Sequence, residues 1–233
     1  MSTELSGGLV LNRVPPVRAP VAGISDCYPI RRVYCVGRNY AAHVREMGGN
    51  EREPPFFFQK PSDSVVLDRS TVAYPAATRD FQHEVELVLA IGRAASHIAP
   101  GQAREYVYGC AVGIDLTRRD LQIAARNSGR PWEAGKSFDA SAPLGVIKPL
   151  VERALPSRGA ILLAVNGAVR QRGDLSEMIW SPDEIVSQLS DLYRLEPGDL
   201  VYTGTPSGVG ALQRGDSVRG EIEGVGSVEI DVV

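Results

Sequence analysis

Three acidic residues have a spacing that predicts a shared site. Glu84 and Glu86 are two residues apart in the apolar segment 81–91, and side chains two apart on a β-strand point to the same face. Asp115 follows a second apolar segment, residues 110–114. Clustered carboxylates repel one another unless a cation joins them, and three without a thiolate suit a hard divalent ion such as Mg²⁺, Mn²⁺ or Ca²⁺. An isolated Glu-x-Glu is more often the acidic outer face of a half-exposed strand. Other residues of the chain are therefore needed to distinguish a metal site from such a face.

Further polar residues have types that would serve such a site. His43 and Glu46 are three residues apart in a predicted helix over residues 40–47, which Asn39 could cap, and so lie on one helix face. Lys60 follows three phenylalanines in a predicted strand, and Lys136 lies in the irregular segment 132–139. The alternative for each is a surface role: an exposed His–Glu pair, a solvated lysine at a strand end, and an exposed loop lysine.

Composition and charge exclude several classes of function. The chain has 233 residues, of which 43% are hydrophobic and 23% charged, as in ordinary globular proteins. A net charge of −3 gives no basic surface for nucleic acid, and no apolar segment is long enough to span a membrane. The three cysteines are widely spaced and fit neither a disulfide framework nor a zinc site, so we expect a cytoplasmic protein.

The order of short apolar segments, glycines and prolines predicts a β-rich domain. Residues 1–30 contain four prolines and little periodicity, which predicts an extended N-terminal arm, and residues 31–233 form a single domain. Asn166-Gly167 predicts a hairpin turn, Ser181-Pro182 predicts a helix start, and Thr117 is expected to cap a helix that runs to Arg126. The glycine-rich loop 203–210 follows a strand but carries no nucleotide-binding motif, so it favours a small ligand.

Six ordered motifs resemble those of the fumarylacetoacetate hydrolase family. They are YCVGRNYAAH (34–43), FQKPS (58–62), HEVEL (83–87), GIDLTRRD (113–120), GKSFD (135–139), and TGTP with GVG (203–210). The similarity extends from about residue 32 to the end of the chain. Residues 29–47 and 54–66 most resemble the fumarylpyruvate hydrolases of gentisate-type aromatic degradation, and acylpyruvate hydrolases and oxaloacetate decarboxylases share most of these residues.

The resemblance implies a fold, an assembly and a set of site residues. The fold is an α+β, β-rich mixed β-roll of the family's C-terminal-domain type with a few short helices, and family members are usually homodimers. Glu84, Glu86 and Asp115 match the metal ligands, with Mg²⁺ as the expected ion and Mn²⁺ or Ca²⁺ as alternatives. His43, Glu46 and Lys136 match the catalytic residues. The residues that match substrate contacts are Lys60, Arg119, Gln122 and Thr205.

The reaction implied by the resemblance is hydrolysis of a carbon–carbon bond in a 2,4-dioxo acid, with fumarylpyruvate giving fumarate and pyruvate. Glu46 would orient His43 to activate water, and Lys136 would offset the developing oxyanion. A fumaryl group carries a second carboxylate, for which Arg38 and Arg130 are the candidate partners. The alternatives are an acylpyruvate hydrolase, an oxaloacetate decarboxylase, and a metal-stabilised binding protein without turnover.

Overall fold

An eight-stranded mixed sheet forms the centre of the computed structural model, which describes residues 16–46, 54–150 and 154–233, without the side chains of residues 44–46. Strands are numbered in chain order. The sheet runs β4 (Phe56–Lys60), β3 (Val33–Gly37), β15 (Leu200–Tyr202), β8 (Val85–Ile91), β9 (Val107–Ile114), β11 (Ala142–Leu144) and β5 (Val65–Leu67), with β12 (Lys148–Pro149) also on β9. Every residue of β3 and β8 is buried, because both faces of this sheet are covered by apolar side chains.

Three smaller sheets surround the central one. The five-stranded sheet runs β14 (Ala168–Asp174), β13 (Ala160–Val165), β17 (Ser217–Ile222), β18 (Gly226–Val232) and β6 (Ser70–Val72), and the three-stranded sheet runs β10 (Thr117–Arg118), β7 (Phe81–His83) and β16 (Gly210–Ala211). Asn166 and Gly167 join β13 to β14 with φ of 51° and 78°, as a type I′ hairpin requires, and this turn prediction is confirmed.

Within the described residues, four α-helices and three short 3₁₀ helices connect these strands. The α-helices are α1 (Ala41–Glu46), α2 (Arg119–Asn127), α3 (Glu133–Lys136) and α4 (Pro182–Leu192), and the 3₁₀ helices are Ser62–Ser64, Pro100–Glu105 and Leu175–Glu177. Ser181 caps α4 as expected, and its hydroxyl accepts a hydrogen bond from the Glu184 N–H. No helix among the described residues is long and apolar enough to cross a bilayer. The predicted β-rich α+β fold with few short helices is confirmed.

The predicted N-terminal arm is only partly described. Residues 18–29 form a two-stranded antiparallel sheet, β1 (Arg18–Pro20) and β2 (Cys27–Pro29), rather than one extended segment. Tyr28 is buried, and its hydroxyl donates to the carbonyl oxygens of Ile91 at 2.8 Å and Asp199 at 2.9 Å. These contacts hold the hairpin against the central sheet. Residues 1–15 lie outside the described residues, and the domain boundary at residue 30 stays a prediction.

Two expected helix caps are wrong because the side chains are used elsewhere. The Asn39 amide nitrogen donates to the carbonyl oxygens of Trp180 at 2.9 Å and Thr203 at 2.8 Å, and its oxygen accepts from the Trp180 N–H at 2.8 Å. Thr117 lies in β10, and α2 begins two residues later without a side-chain cap. Asn39 therefore joins the segment before α1 to the loop after β15.

We expect Asn39→Ala to lower the free energy of unfolding by about 1–3 kcal/mol, because it leaves buried backbone groups of Trp180 and Thr203 without partners. Urea denaturation measures this change. The control is Asn127→Ala at the exposed end of α2, which we expect to change stability by less than about 0.5 kcal/mol. Equal stability of the two variants would contradict the structural role given to Asn39.

Candidate metal centre and active site

Strand register brings the three predicted carboxylates together. Glu86 on β8 pairs with Gly113 on β9, and just past the end of β9 the Asp115 N–H donates to the Glu84 carbonyl oxygen at 2.8 Å. Glu84 lies between β7 and β8, where the chain passes from the three-stranded sheet into the central one. All three side chains are buried, and their ligand oxygens lie within 4.8 Å of one another.

Lys136 places a buried ammonium group beside two of these carboxylates. Its Nζ donates to Glu84 Oε2 at 2.9 Å, Asp115 Oδ2 at 2.7 Å and Thr117 Oγ1 at 2.7 Å. Burial lowers the pKa of Lys136, but the charges of Asp115 and Glu84 outweigh burial and the net shift is upward. Lys136 therefore stays charged and supplies a fixed positive charge at the centre.

Lys60 approaches Asp115 from the other side. Its Nζ lies 2.8 Å from Asp115 Oδ1 and donates to the carbonyl oxygens of Leu116, at 3.1 Å, and Lys136. Only 2% of Lys60 is exposed, which excludes the solvated lysine considered from the sequence. Lys60 lines a neighbouring aromatic groove rather than the cavity at the carboxylates, so this geometry supports a role in holding Asp115 and not the predicted substrate contact.

Arg119, at the start of α2, forms an ion pair with Glu84. Its guanidinium donates to Glu84 Oε1, to Gln82 Oε1 at 2.8 Å and to Gln122 Oε1. Burial raises the pKa of the Glu84 carboxyl, yet Lys136 and Arg119 together hold it below its usual range. Because the Gln122 oxygen accepts from Arg119, the amide nitrogen of Gln122 is the end that can donate to a substrate.

Glu86 is the carboxylate that the protein balances least. Its Oε2 accepts a hydrogen bond from the Gly204 N–H at 2.7 Å, and the described residues place no lysine or arginine in an ion pair with it. Burial, with Asp115 and Glu84 nearby, raises the pKa of Glu86 well above its usual range. A buried set of three oxygen donors with one uncompensated carboxylate fits a divalent metal ion.

A cavity of about 450 Å³, counting the space at its open mouth, lies over these carboxylates. Of the predicted site residues whose side chains the structure describes, all line it except Lys60 and Arg130. The lining residues are Val36, Gly37, Arg38, His43, Phe58, Glu84, Glu86, Asp115, Arg119, Gln122, Arg126, Trp132, Lys136 and Thr205. The structure therefore gathers residues from all six sequence motifs around one space.

The predicted catalytic pair on α1 is described in part. His43 is buried and lines the cavity together with the three carboxylates. Glu46 ends α1, three residues after His43, and its side chain lies outside the described residues. The orientation of His43 by Glu46 therefore stays a prediction.

The two arginines predicted from the sequence lie in different places. Arg38 lines the cavity at a turn with φ of 61°, and its guanidinium lies 5.9 Å from the centre of the Phe56 ring. Arg130 is exposed after the end of α2 and is not among the residues that line the cavity, so its substrate contact stays a prediction. Arg126 does line it, half-buried, and was missed. Arg126 lies seven residues after Arg119 and four after Gln122, so all three lie on one face of the helix. This spacing is the sequence signal that could have identified Arg126.

Thr205 presents a hydroxyl group whose hydrogen is already used. Its Oγ1 donates to the Val85 carbonyl oxygen at 2.8 Å and accepts from Gln171 Nε2 at 2.8 Å. A hydroxyl has one hydrogen, so Thr205 can donate to a bound anion only through its backbone N–H.

We expect Glu86→Gln to stabilise the metal-free protein at pH 8 and to abolish most of its stabilisation by Mn²⁺. Glu86 has a higher pKa folded than unfolded, so the folded state binds its proton more tightly. The free energy of unfolding therefore falls as the pH rises from 4.5, the ordinary pKa of a glutamate, toward the raised pKa of Glu86. Glutamine is similar in size to glutamate and carries no charge. We therefore expect Tm to rise by roughly 2–4 °C for each kcal/mol by which the substitution raises the free energy of unfolding.

Thermal unfolding from pH 5 to pH 8, with and without Mn²⁺, measures both effects. Exposed Glu105 provides the matched control, and Glu105→Gln should behave as the wild type. A metal-free Glu86→Gln protein that melts below the wild type at pH 8, or keeps the full Mn²⁺ stabilisation, would overturn this interpretation of Glu86.

Comparison with known proteins agrees with this arrangement. The family model described as fumarylacetoacetate (FAA) hydrolase C-terminal matches residues 32–233. A fumarylpyruvate hydrolase of Ralstonia sp. is 43% identical over 180 residues, which is 77% of this chain and 93% of that protein. A mitochondrial oxaloacetate tautomerase of Bos taurus is 40% identical over 202 residues, 87% of this chain and 91% of that protein.

A solved structure extends the similarity to the fold. The crystal structure of fumarylpyruvate hydrolase from Pseudomonas aeruginosa in complex with Mn²⁺ and pyruvate is 50% identical. It matches with a TM-score of 0.94 over 97% of this chain and 99% of that one. The predicted β-roll is thereby confirmed, and a divalent metal site is supported by that complex together with the acidic triad. The chain belongs to the fumarylacetoacetate hydrolase family.

Proposed function

We propose that the chain hydrolyses a carbon–carbon bond of a 2,4-dioxo acid, with fumarylpyruvate giving fumarate and pyruvate. The observation that carries this proposal is the cavity in which three buried carboxylates, a charged lysine and a buried histidine converge. The predicted class, an enzyme that hydrolyses carbon–carbon bonds, is confirmed by the relatives named as fumarylpyruvate hydrolases. To this enzyme class the proposal adds the identity of the substrate, fumarylpyruvate.

The charge of the site favours a doubly anionic substrate. The three carboxylates are matched by the three cations Lys60, Lys136 and Arg119, which contact two of them. A bound divalent ion adds two positive charges to a buried space that Arg38 and Arg126 also line, and ionic interactions are little screened there. A substrate with two carboxylates offsets more of this positive charge than a singly charged or neutral ligand would.

Glu84, Glu86 and Asp115 would hold the divalent ion, with Mg²⁺ as the physiological metal that we propose for these all-oxygen ligands. When bound there, the ion supplies Lewis-acid charge for the negative charge that develops as the carbon–carbon bond breaks.

The protein's own groups supply the remaining chemistry. His43 takes a proton from water as the water oxygen attacks the carbonyl carbon beyond the methylene group. Lys136 is ion-paired with Glu84 and Asp115, and its ammonium group can donate to the oxyanion that forms. The bond between that carbon and the methylene carbon then breaks with its electrons on the methylene side. Protonation of that fragment gives pyruvate, and the other fragment leaves as fumarate.

Arg126 is the group that we assign to the second carboxylate of the substrate. It lies seven residues beyond Arg119 on α2, or about 10 Å along the helix axis, on the face that lines the cavity. This spacing sets it away from the carboxylate cluster, at the end of the cavity where a dicarboxylate would place its far group. Arg38 lines the same cavity and is the second candidate for this contact.

Oxaloacetate chemistry is the second candidate function. Four-carbon oxaloacetate is also a doubly anionic 2-oxo acid, and relatives at 39–40% identity are named oxaloacetate tautomerases. A tautomerase needs only proton transfer, and the decarboxylase considered from the sequence needs no attacking water. A panel of fumarylpyruvate, acetylpyruvate and oxaloacetate distinguishes the three reactions. Release of pyruvate without carbon dioxide reports hydrolysis, release of both reports decarboxylation, and a change in the ultraviolet absorbance of the enol form of oxaloacetate without either product reports tautomerisation.

Assembly, location and pathway are finer proposals. We retain a homodimer, a cytoplasmic location and a role in aromatic catabolism as predictions from the family resemblance. Sedimentation velocity of the full chain tests the dimer directly.

We expect His43→Ala to lower the rate of fumarylpyruvate hydrolysis by on the order of 10²–10⁴-fold, the usual effect of losing a positioned general base. Its Mn²⁺ affinity should change little, because His43 is not one of the three carboxylate ligands. The matched control is His97→Ala, since the His97 side chain is exposed and does not line the cavity. Wild-type hydrolysis by His43→Ala would refute the assigned role.

We expect Arg126→Met to lower kcat/KM for fumarylpyruvate by about 10- to 100-fold, since a hydrogen bond to a charged group contributes about 1.5–3 kcal/mol. Acetylpyruvate lacks the second carboxylate, and its kcat/KM should change by less than about threefold. Arg130→Met, four residues away on the exposed surface, should leave both substrates unaffected. An equal loss with both substrates would show that Arg126 acts on the site as a whole and not on the far carboxylate.

A further inference from the structure

Gln171 is buried on a strand that otherwise faces outward. Its neighbours Arg170 and Arg172 are exposed, whereas Gln171 is 0% exposed. The register of β13 and β14 shifts at this point: Leu163 pairs with Gln171 but Ala164 pairs with Val169. The extra residue forms a β-bulge, which redirects side chains on the bulged strand. The bulge turns an amide side chain inward, although Gln171 does not line the cavity.

Both ends of the Gln171 amide are fully used. Its Oε1 accepts from the Val85 N–H at 3.1 Å and lies 3.0 Å from His83 Nδ1. Its Nε2 donates to Thr205 Oγ1 at 2.8 Å and to the Pro206 carbonyl oxygen at 2.9 Å. The Val85 N–H can only donate and the Pro206 carbonyl can only accept, so the orientation of the amide is determined.

These bonds join the two halves of the site. Val85 is the residue between Glu84 and Glu86, and its carbonyl oxygen accepts from Thr205 Oγ1. Gln171 therefore fixes the backbone that carries two carboxylates against the loop that carries Thr205. The same donation to Oγ1 directs the Thr205 hydrogen toward Val85 and away from the cavity.

We propose that Gln171 is a positioning residue of the active site, which acts on the bound metal through Val85 and on the bound 2-oxo acid through Thr205. This inference rests on the proposed function only in taking the cavity as a site for a divalent ion and a 2-oxo acid. Groups that orient metal ligands without touching the ion typically change metal affinity or activity 10- to 100-fold when they are replaced.

The test is a double-mutant cycle read out by binding rather than turnover. Mn²⁺ is titrated into metal-free protein, and pyruvate is then titrated into Mn²⁺-loaded protein, for the wild type, Gln171→Met, Thr205→Val and the double variant. We expect Gln171→Met to weaken both affinities on the order of 10-fold or more. We expect the double variant to bind pyruvate within about twofold of the weaker single variant, because the two residues act as one unit.

Exposed Arg172 on the same strand supplies the control, and Arg172→Met should bind both probes as the wild type does. Unchanged Mn²⁺ and pyruvate affinities in Gln171→Met, or independent effects that multiply in the double variant, would overturn the proposal. If Gln171→Met does not fold, Gln171→Glu replaces it in the same cycle. Glutamate keeps an oxygen that accepts from the Val85 N–H and loses the N–H donors to Thr205 and Pro206. The same outcomes then support or overturn the proposal. Failure to hydrolyse fumarylpyruvate would leave these binding measurements intact and would count against the proposed substrate alone.

Discussion

The mutual repulsion of three buried carboxylates is the constraint on which the rest of the site depends. Glu84, Glu86 and Asp115 lie within 4.8 Å of one another through their ligand oxygens, in a space from which water is largely excluded. Ionised carboxylates are stable there only when cations and hydrogen-bond donors surround them. Among the described residues, Glu84 and Asp115 receive ion pairs, whereas Glu86 receives one hydrogen bond from a backbone N–H. The incomplete compensation at Glu86 is what makes a divalent ion the natural occupant.

The sheets and loops satisfy this constraint in a consistent way. Glu84 lies where the chain leaves one sheet for another, and the hydrogen bond from the Asp115 N–H to its carbonyl oxygen holds the two residues side by side. Gly204 can donate to Glu86 because its φ of 94° turns its N–H inward, and a Cβ there would come within 2.7 Å of Asn39. A side chain at that position would therefore disturb both the loop and Asn39. The site and the fold around it are stabilised by the same contacts.

Local sequence patterns predicted much of this arrangement, and non-local contacts set the rest. The period of two at Glu84 and Glu86 predicted a shared face, and the end of an apolar strand predicted the place of Asp115. Asn39 looked like a helix cap because its partners, 141 and 164 residues away, cannot be read from its neighbours. Gln171 faces inward through a bulge that depends on pairing between two strands. Helix periodicity could have predicted that Arg126 shares a face of α2 with Arg119, whereas Arg130 lies beyond the last turn of α2.

The most direct measurement is anomalous X-ray scattering at the manganese edge from crystals grown with Mn²⁺. We expect a single strong peak in the cavity, bonded to carboxylate oxygens of Glu84, Glu86 and Asp115, while Arg119 stays paired with Glu84 and Lys136 with Glu84 and Asp115. A peak bonded to other residues would contradict this assignment of the metal ligands. So would a cavity without manganese in which the three carboxylates keep their places at saturating Mn²⁺.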